Sequence, residues 1–159
     1  MSEKLLVSQW DELDNLSPRA LYAMLKLRVD VFVVEQKCPY PEIDGKDFEA
    51  FHLRILDGEE LAASLRVLPP EQAGKPVKIG RVVVAPDYRG YKLGQRLMKE
   101  AIDFTHARFP GIAVELGGQS HLQKFYGSFG FVAISEEYLE DGIPHVDMRL
   151  ESRDNIGVI

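Results

Sequence analysis

The chain has 159 residues, 45% hydrophobic and 28% charged, with a formal net charge of -6. That is enough for one domain, residues 1–159, with a real core, and ordinary for a globular protein. The acidic balance argues against nucleic acid or an anionic membrane as main partner, since such affinity needs clustered Lys and Arg. The single cysteine, Cys38, excludes an internal disulfide and a cysteine zinc cluster.

Leu5 to Trp10 reads as a short first strand. Ser17-Pro18 is an N-cap followed by proline at the first helical position. Leu21, Met24, Leu25, Leu27, Val31, Phe32 and Val34 then mark a helix with a wide apolar face that also carries Arg28. Cys38 to Asp47 holds Pro39, Pro41 and Gly45 and is expected as a structured loop. Phe51 to Leu56 and Leu61 to Leu68 are strands joined at Asp57-Gly58-Glu59-Glu60, a hairpin signal. Pro69 to Pro76 is a polar loop.

Val77 to Val84 is the fourth strand. The turn Asp87-Tyr88-Arg89-Gly90-Tyr91-Lys92-Leu93-Gly94 follows, then a helix to Phe109 with Leu93, Leu97, Met98, Ala101, Ile102 and Thr105 on its core face. Strand, glycine-bearing turn and helix in succession aim backbone N–H groups and the positive end of the helix dipole at one point, which suits a pyrophosphate. Taken alone, such a unit is as readily a plain connection.

Ile112 to Leu116 is a fifth strand, expected to end at Gly117-Gly118. Ser120 to Phe129 is a short helix stopped by Gly130. Phe131 to Ile134 and His145 to Leu150 are the last strands, with an acidic excursion between them, and the final nine residues are expected as a loose tail. Hairpins followed by a strand–helix–strand–helix core predict an α/β (α+β) fold. Its central sheet is mixed and mostly antiparallel, with six to seven strands and helices on both faces. No run reaches the roughly 20 apolar residues of a membrane span, and no signal-peptide segment opens the chain, so the expected location is cytoplasmic.

Arg89-Gly90-Tyr91-Lys92-Leu93-Gly94 resembles the Gln/Arg-x-x-Gly-x-Gly/Ala motif of the GNAT superfamily of acetyl-CoA-dependent N-acetyltransferases. It departs from it at Lys92, where glycine is usual. Either the turn differs there or the position is unstrained, and the ammonium is available to a CoA phosphate. Gln119 to Phe131, with Phe125-Tyr126-Gly127-Ser128-Phe129-Gly130-Phe131, resembles the superfamily's Phe-Tyr-x-x-Phe-Gly-Phe segment. Leu25 to Asp47, with Ile143-Pro144-His145, resembles its ElaA-like branch.

The resemblance implies acetyl-CoA as co-substrate and no metal. It places Arg89, Gly90, Tyr91, Lys92, Leu93, Gly94 and Gln95 on the pyrophosphate, and Val82, Val83 and Val84 along the acetyl arm. Tyr126 would stand beside the sulfur as donor to the departing thiolate. Some members carry a glutamate base on the fourth strand, but Lys78 to Val84 contains no carboxylate. Glu35 and His121 are the base candidates taken forward, with His52, Glu115, His145 and an ordered water chain as further options. Each histidine taken singly is more often structural.

The acceptor expected is an amine of a small molecule or peptide. Glu35, Glu42, Asp44, Asp47 and Glu49, with Glu136, Glu137, Glu140 and Asp141, would form an acidic rim favouring a cationic one, or else a solvated surface. Arg28 is expected to pair with a substrate carboxylate or an internal acid, and Cys38 to be a small buried hydrophobe. Direct attack is favoured over an acyl-enzyme because Cys38 lies away from any His–Cys arrangement. An autoinducer-synthase-like acyltransferase and an acyl-CoA sensor without turnover are the alternatives, and a homodimer is one option for assembly.

Overall fold

The structure is a computed structural model and describes residues 5–152. Its strands are β1 (Val7–Glu12), β2 (Phe51–Asp57), β3 (Glu60–Leu68), β4 (Val77–Val84), β5 (Val114–Gln119), β6 (Val132–Ala133), β7 (Tyr138–Glu140) and β8 (Ile143–Leu150). The α-helices are α1 (Pro18–Val29), α2 (Leu93–Arg108) and α3 (Gln123–Gly127). The strand order is β1-β2-β3-β4-β5-β8-β6, with β7 also on β8, giving eight strands among the described residues rather than six to seven. The extra strand is β7, which crosses what the sequence suggested was only an acidic excursion. Its residues Tyr138 and Glu140 pair with His145 and Ile143, so the excursion is a hairpin arm.

Contacts divide the chain into two compact units, Met1–Arg66 with Arg81–Leu97 and Val67–Gly80 with Met98–Ile159. In the first, β1 pairs antiparallel with β2 from Val7↔Leu56 to Glu12↔Phe51. Gly58, at φ +63, makes the tight turn into β3 that the sequence signalled. Ser17 caps α1, its hydroxyl accepting from Ala20 N at 3.1 Å. The helix continues into a π-helical turn, Asp30–Glu35, where the sequence suggested one regular helix. Such wide turns recur beside functional sites.

In the second unit, β5 pairs parallel with β4 at Val77↔Val114 and Lys78↔Glu115, and antiparallel with β8 from Val114↔Leu150 to Gln119↔His145. The strand therefore runs through Gly117-Gly118 instead of ending there. Those glycines are where side chains come close. A Cβ on Gly118 would stand 2.8 Å from Tyr126 Cε2, and one on Gly117 would stand 3.1 Å from Tyr138 Oη.

The expected helix Ser120 to Phe129 divides into a 3-10 turn, Ser120–Leu122, and α3, with Gly130 at φ +101 just beyond. The core face read along α2 is as expected: Leu93, Leu97, Met98, Ala101, Ile102 and Thr105 are all buried. Of the expected tail, Ser152 is buried and residues 153–159 lie outside the described residues.

Candidate active site

The turn before α2 is built from two left-handed residues. Gly90 has φ +100 and Lys92 has φ +57, so Lys92 adopts the conformation usually left to glycine. Of the two options the sequence left open, an unstrained Lys92 does not hold, since the residue carries a left-handed backbone. The lysine side chain is exposed. The first N–H groups of α2 have no intrahelical acceptor, and regular bonding begins with Arg96 N to Lys92 O at 3.2 Å. Alternating left-handed residues at a helix N-terminus gather such N–H groups into an anion-binding concavity.

The same stretch is held from its other side. Tyr88 closes a 3-10 turn, Pro86–Tyr88, and is buried, its hydroxyl lying 2.7 Å from Asp57 Oδ2 and 2.8 Å from Glu60 Oε2 across the β2–β3 turn. Hydrogen bonding to Asp57, burial and Glu60 together push the Tyr88 phenol well above its ordinary range. Sequence reasoning passed over this anchor. The signal was present in two carboxylates flanking a hairpin turn, but their partner is distant in the chain.

Arg89 bonds Glu35, Nη1 to Oε2 at 3.0 Å, so one base candidate and one phosphate-ligand candidate form an exposed ion pair. Val83 is buried, and Val82 and Val84 are half-buried. Arg81, immediately before them, has φ +53. A left-handed residue that is not glycine, inside a strand, marks a local break in the ladder.

The largest feature the sequence reading left divided is ionic. Arg28 donates from Nε to Glu42 Oε1 at 3.0 Å and from Nη1 and Nη2 to Asp47 at 2.8 and 3.0 Å. Arg66 bonds Asp47 at 3.1 Å and Asp44 at 2.6 and 2.9 Å. Arg81 reaches both Glu42 and Asp44. Arg28 thus meets internal acids. Glu42 and Asp47 are buried and Asp44 is exposed, and all three pair with arginines instead of forming an open acidic rim; a buried carboxylate is retained only when paired. Cys38 is buried, as expected.

In the second unit Tyr126 is buried, edge-on to Phe125 at 5.1 Å and to Phe131 at 6.4 Å. Burial alone pushes its phenol up to about 12, with no carboxylate contributing. His121 is exposed on the turn before α3. His145 Nδ1 lies 2.7 Å from Ile143 O, which can only accept, so Nδ1 carries a hydrogen and Nε2 faces Glu140 at 3.5 Å. Its ring stacks on Tyr138, which donates to Asp147 at 2.5 Å.

Two further base options have partners. Glu115 pairs with Arg149 at 2.8 Å. His52 is buried against Asp47 O at 3.0 Å, and burial lowers its pKa despite that bond. Glu136, Glu137, Glu140 and Asp141 are exposed. No cluster of metal-ligating side chains occurs among the described residues, and none of their helices is long and apolar enough to cross a membrane.

The acetyltransferase (GNAT) domain model matches residues 26–152. Protein ElaA of Escherichia coli K12 is 46% identical over 147 residues, covering 90% of this chain and 96% of that protein. Its crystal structure superposes with a TM-score of 0.87 at 44% identity, covering 92% of this chain and 100% of ElaA. An acyl-CoA N-acyltransferase from Pseudomonas aeruginosa gives a TM-score of 0.86 at 44% identity, with 91% and 99% of the two chains covered. A strand, a turn with two left-handed residues and a helix thus stand in a chain that resembles these proteins along most of its length. The chain belongs to the GNAT acetyltransferase family and is an ElaA-like acyltransferase.

Proposed function

We propose that this acyltransferase takes acetyl from acetyl-CoA and delivers it directly to an amine of a small molecule or peptide. What carries the reading is the turn in which Gly90 and Lys92 are both left-handed at the start of α2. Backbone N–H groups of residues 89–95 hold the pyrophosphate, and the exposed ammonium of Lys92 adds a charge there. The role of Glu35 is to hold Arg89. Val82, Val83 and Val84 lie along the acetyl arm, where an oriented N–H in a dry setting is worth about 3–4 kcal/mol of barrier.

Tyr126 serves the leaving thiolate as a hydrogen-bond donor. With its phenol at about 12 and a thiol near ~8.5, complete proton transfer to sulfur is uphill on the order of 5 kcal/mol. The hydroxyl therefore stabilises growing charge and keeps its proton. An alkyl amine near pKa ~10.4 is neutral only about once in a few thousand molecules at pH 7, so the acceptor must lose a proton before or during attack. His121, exposed and next to α3, takes it. Burial of Cys38 supports direct attack. The exposed carboxylates of residues 136–141 favour a cationic acceptor.

The test is a panel of polyamines, amino acids and peptides with acetyl-CoA, read as release of free thiol. Release with at least one amine, faster than hydrolysis without acceptor, is the expected result. Thermal stabilisation by CoA with no thiol release from any acceptor would replace the enzyme reading by that of a sensor.

A further inference from the structure

Arg81 is the residue of β4 whose backbone and side chain are both unusual. Its φ of +53 is disfavoured for any residue bearing a Cβ, and such a conformation lasts only where the surroundings enforce it. Four contacts do so. Nε lies 2.6 Å from Glu42 Oε1, an ion contact without hydrogen-bond alignment. Nη2 donates to Glu42 O at 2.9 Å and reaches Asp44 Oδ2 at 3.3 Å. The Tyr40 ring lies 5.5 Å from Cζ.

The anchors are themselves fixed. Glu42 is held by Arg28, Asp44 by Arg66 and by Lys46 N at 3.0 Å, and Asp47 joins Arg28 to Arg66. Glu42 Oε2 is buried with no hydrogen-bond partner among the described residues. Beyond the break, the chain rejoins β3 through Ala85 N to Ala62 O at 2.8 Å. The residues between Arg81 and Ala85 are Val82, Val83 and Val84.

We propose that the loop Tyr40–Asp47 is a clamp that holds Arg81 left-handed and so fixes the direction of the backbone N–H groups of Val82–Val84 toward the acyl carbonyl. Arg81 is a positioning residue, and Glu42 and Asp44 are its anchors. This rests on the acetyl-transfer reading. It goes beyond it in assigning the ionic cluster a part in transition-state geometry, in addition to its part in stability.

Arg81→Ala, Arg81→Gly and Glu42→Gln separate the possibilities. Alanine loses the clamp and keeps the strain, so kcat falls by about 10²-fold with KM for acetyl-CoA changed less than about twofold, the signature of a lost oxyanion donor. Glycine adopts the same φ without strain and retains more activity than alanine at equal folded fraction. Glu42→Gln, with one anchor weakened, falls between wild type and Arg81→Ala. A merely structural role would lower Tm in all three and leave kcat per folded molecule intact, which overturns the proposal.

The infrared C=O stretch of bound 13C-acetyl-CoA gives a second readout that needs no turnover. It should be red-shifted in the wild type and return toward the free value in Arg81→Ala. An unchanged stretch in that variant overturns the clamp even if acetylation is established. A wild type that shifts the stretch but acetylates no amine sinks the transfer reading and leaves the clamp standing.

Discussion

Tyr126 lies against Gly118 so closely that a Cβ on the glycine would stand 2.8 Å from Cε2 and 2.9 Å from Cδ2 of the ring. The glycine thereby decides where the phenol sits. In Gly118→Ala the ring must shift, because an aromatic ring packed on Phe125 and Phe131 has no flexible end to yield. Expected are a stability loss of about 1–3 kcal/mol by chemical denaturation and a fall in kcat. Tyr126→Phe keeps the packing, so Tm should hold while kcat falls roughly tenfold or more, with CoA affinity nearly unchanged. An unaltered kcat in Tyr126→Phe would make the residue a packing group.

Lys92 has a glycine's backbone and a cation's side chain, and two substitutions pull these apart. Lys92→Gly should raise stability by up to about 1 kcal/mol, the left-handed strain being partly offset by glycine's entropy. The same variant should bind CoA several-fold more weakly at low salt, with the difference shrinking as salt is added. Lys92→Ala keeps the strain and loses the charge, so affinity falls without the gain in stability. Denaturation curves and calorimetry at two ionic strengths check both. Equal affinity of all three forms would remove the ammonium from phosphate binding.

The ionic cluster predicts how stability responds to acid. Burial works to raise the pKa of Asp47, but hydrogen bonds and charge from Arg28 and Arg66 outweigh it and leave it lowered. The hydrogen bond from Arg66 holds Asp44 far below the usual carboxylate range. His52 is lowered by burial. Each group binds its proton less readily folded than unfolded, so stability is full above the unfolded pKa and is lost as pH falls.

Urea unfolding should therefore weaken in two windows, first below about pH 6.5 as His52 titrates and then more steeply below about pH 4 as the aspartates do. Asp47→Asn should flatten the second window. Asp47→Ala, which leaves Arg28 and Arg66 partly unpaired, should cost about 3–5 kcal/mol at neutral pH. Stability independent of pH between 3 and 7 would contradict the assignment.

Local pattern carried much of this. The 3.6-residue spacing of Leu93, Leu97, Ala101 and Thr105 is a property of consecutive residues, and all four are buried as the spacing requires. The turn at Gly58 and the Ser17 cap were legible for the same reason. Where the reading went astray, the partner was far along the chain. Gly117-Gly118 looked like the end of a strand, because a glycine chosen for close approach to Tyr138 or Tyr126 cannot be told from one chosen for a turn. The acids of residues 42–47 read as a rim or a solvated surface, because arginines 14 to 39 residues away in the chain leave no trace in local composition.

Sequence by itself determined most of the order of elements, the strand–turn–helix unit and the family, since periodicity and short motifs are written in neighbouring residues. Only the tertiary structure decided that Lys92 and Arg81 are left-handed, that Glu35 belongs to Arg89, and that three arginines consume the acids of the first loop. Backbone strain and ion pairing depend on which distant groups fold within reach of one another, and that is set by the packed chain alone.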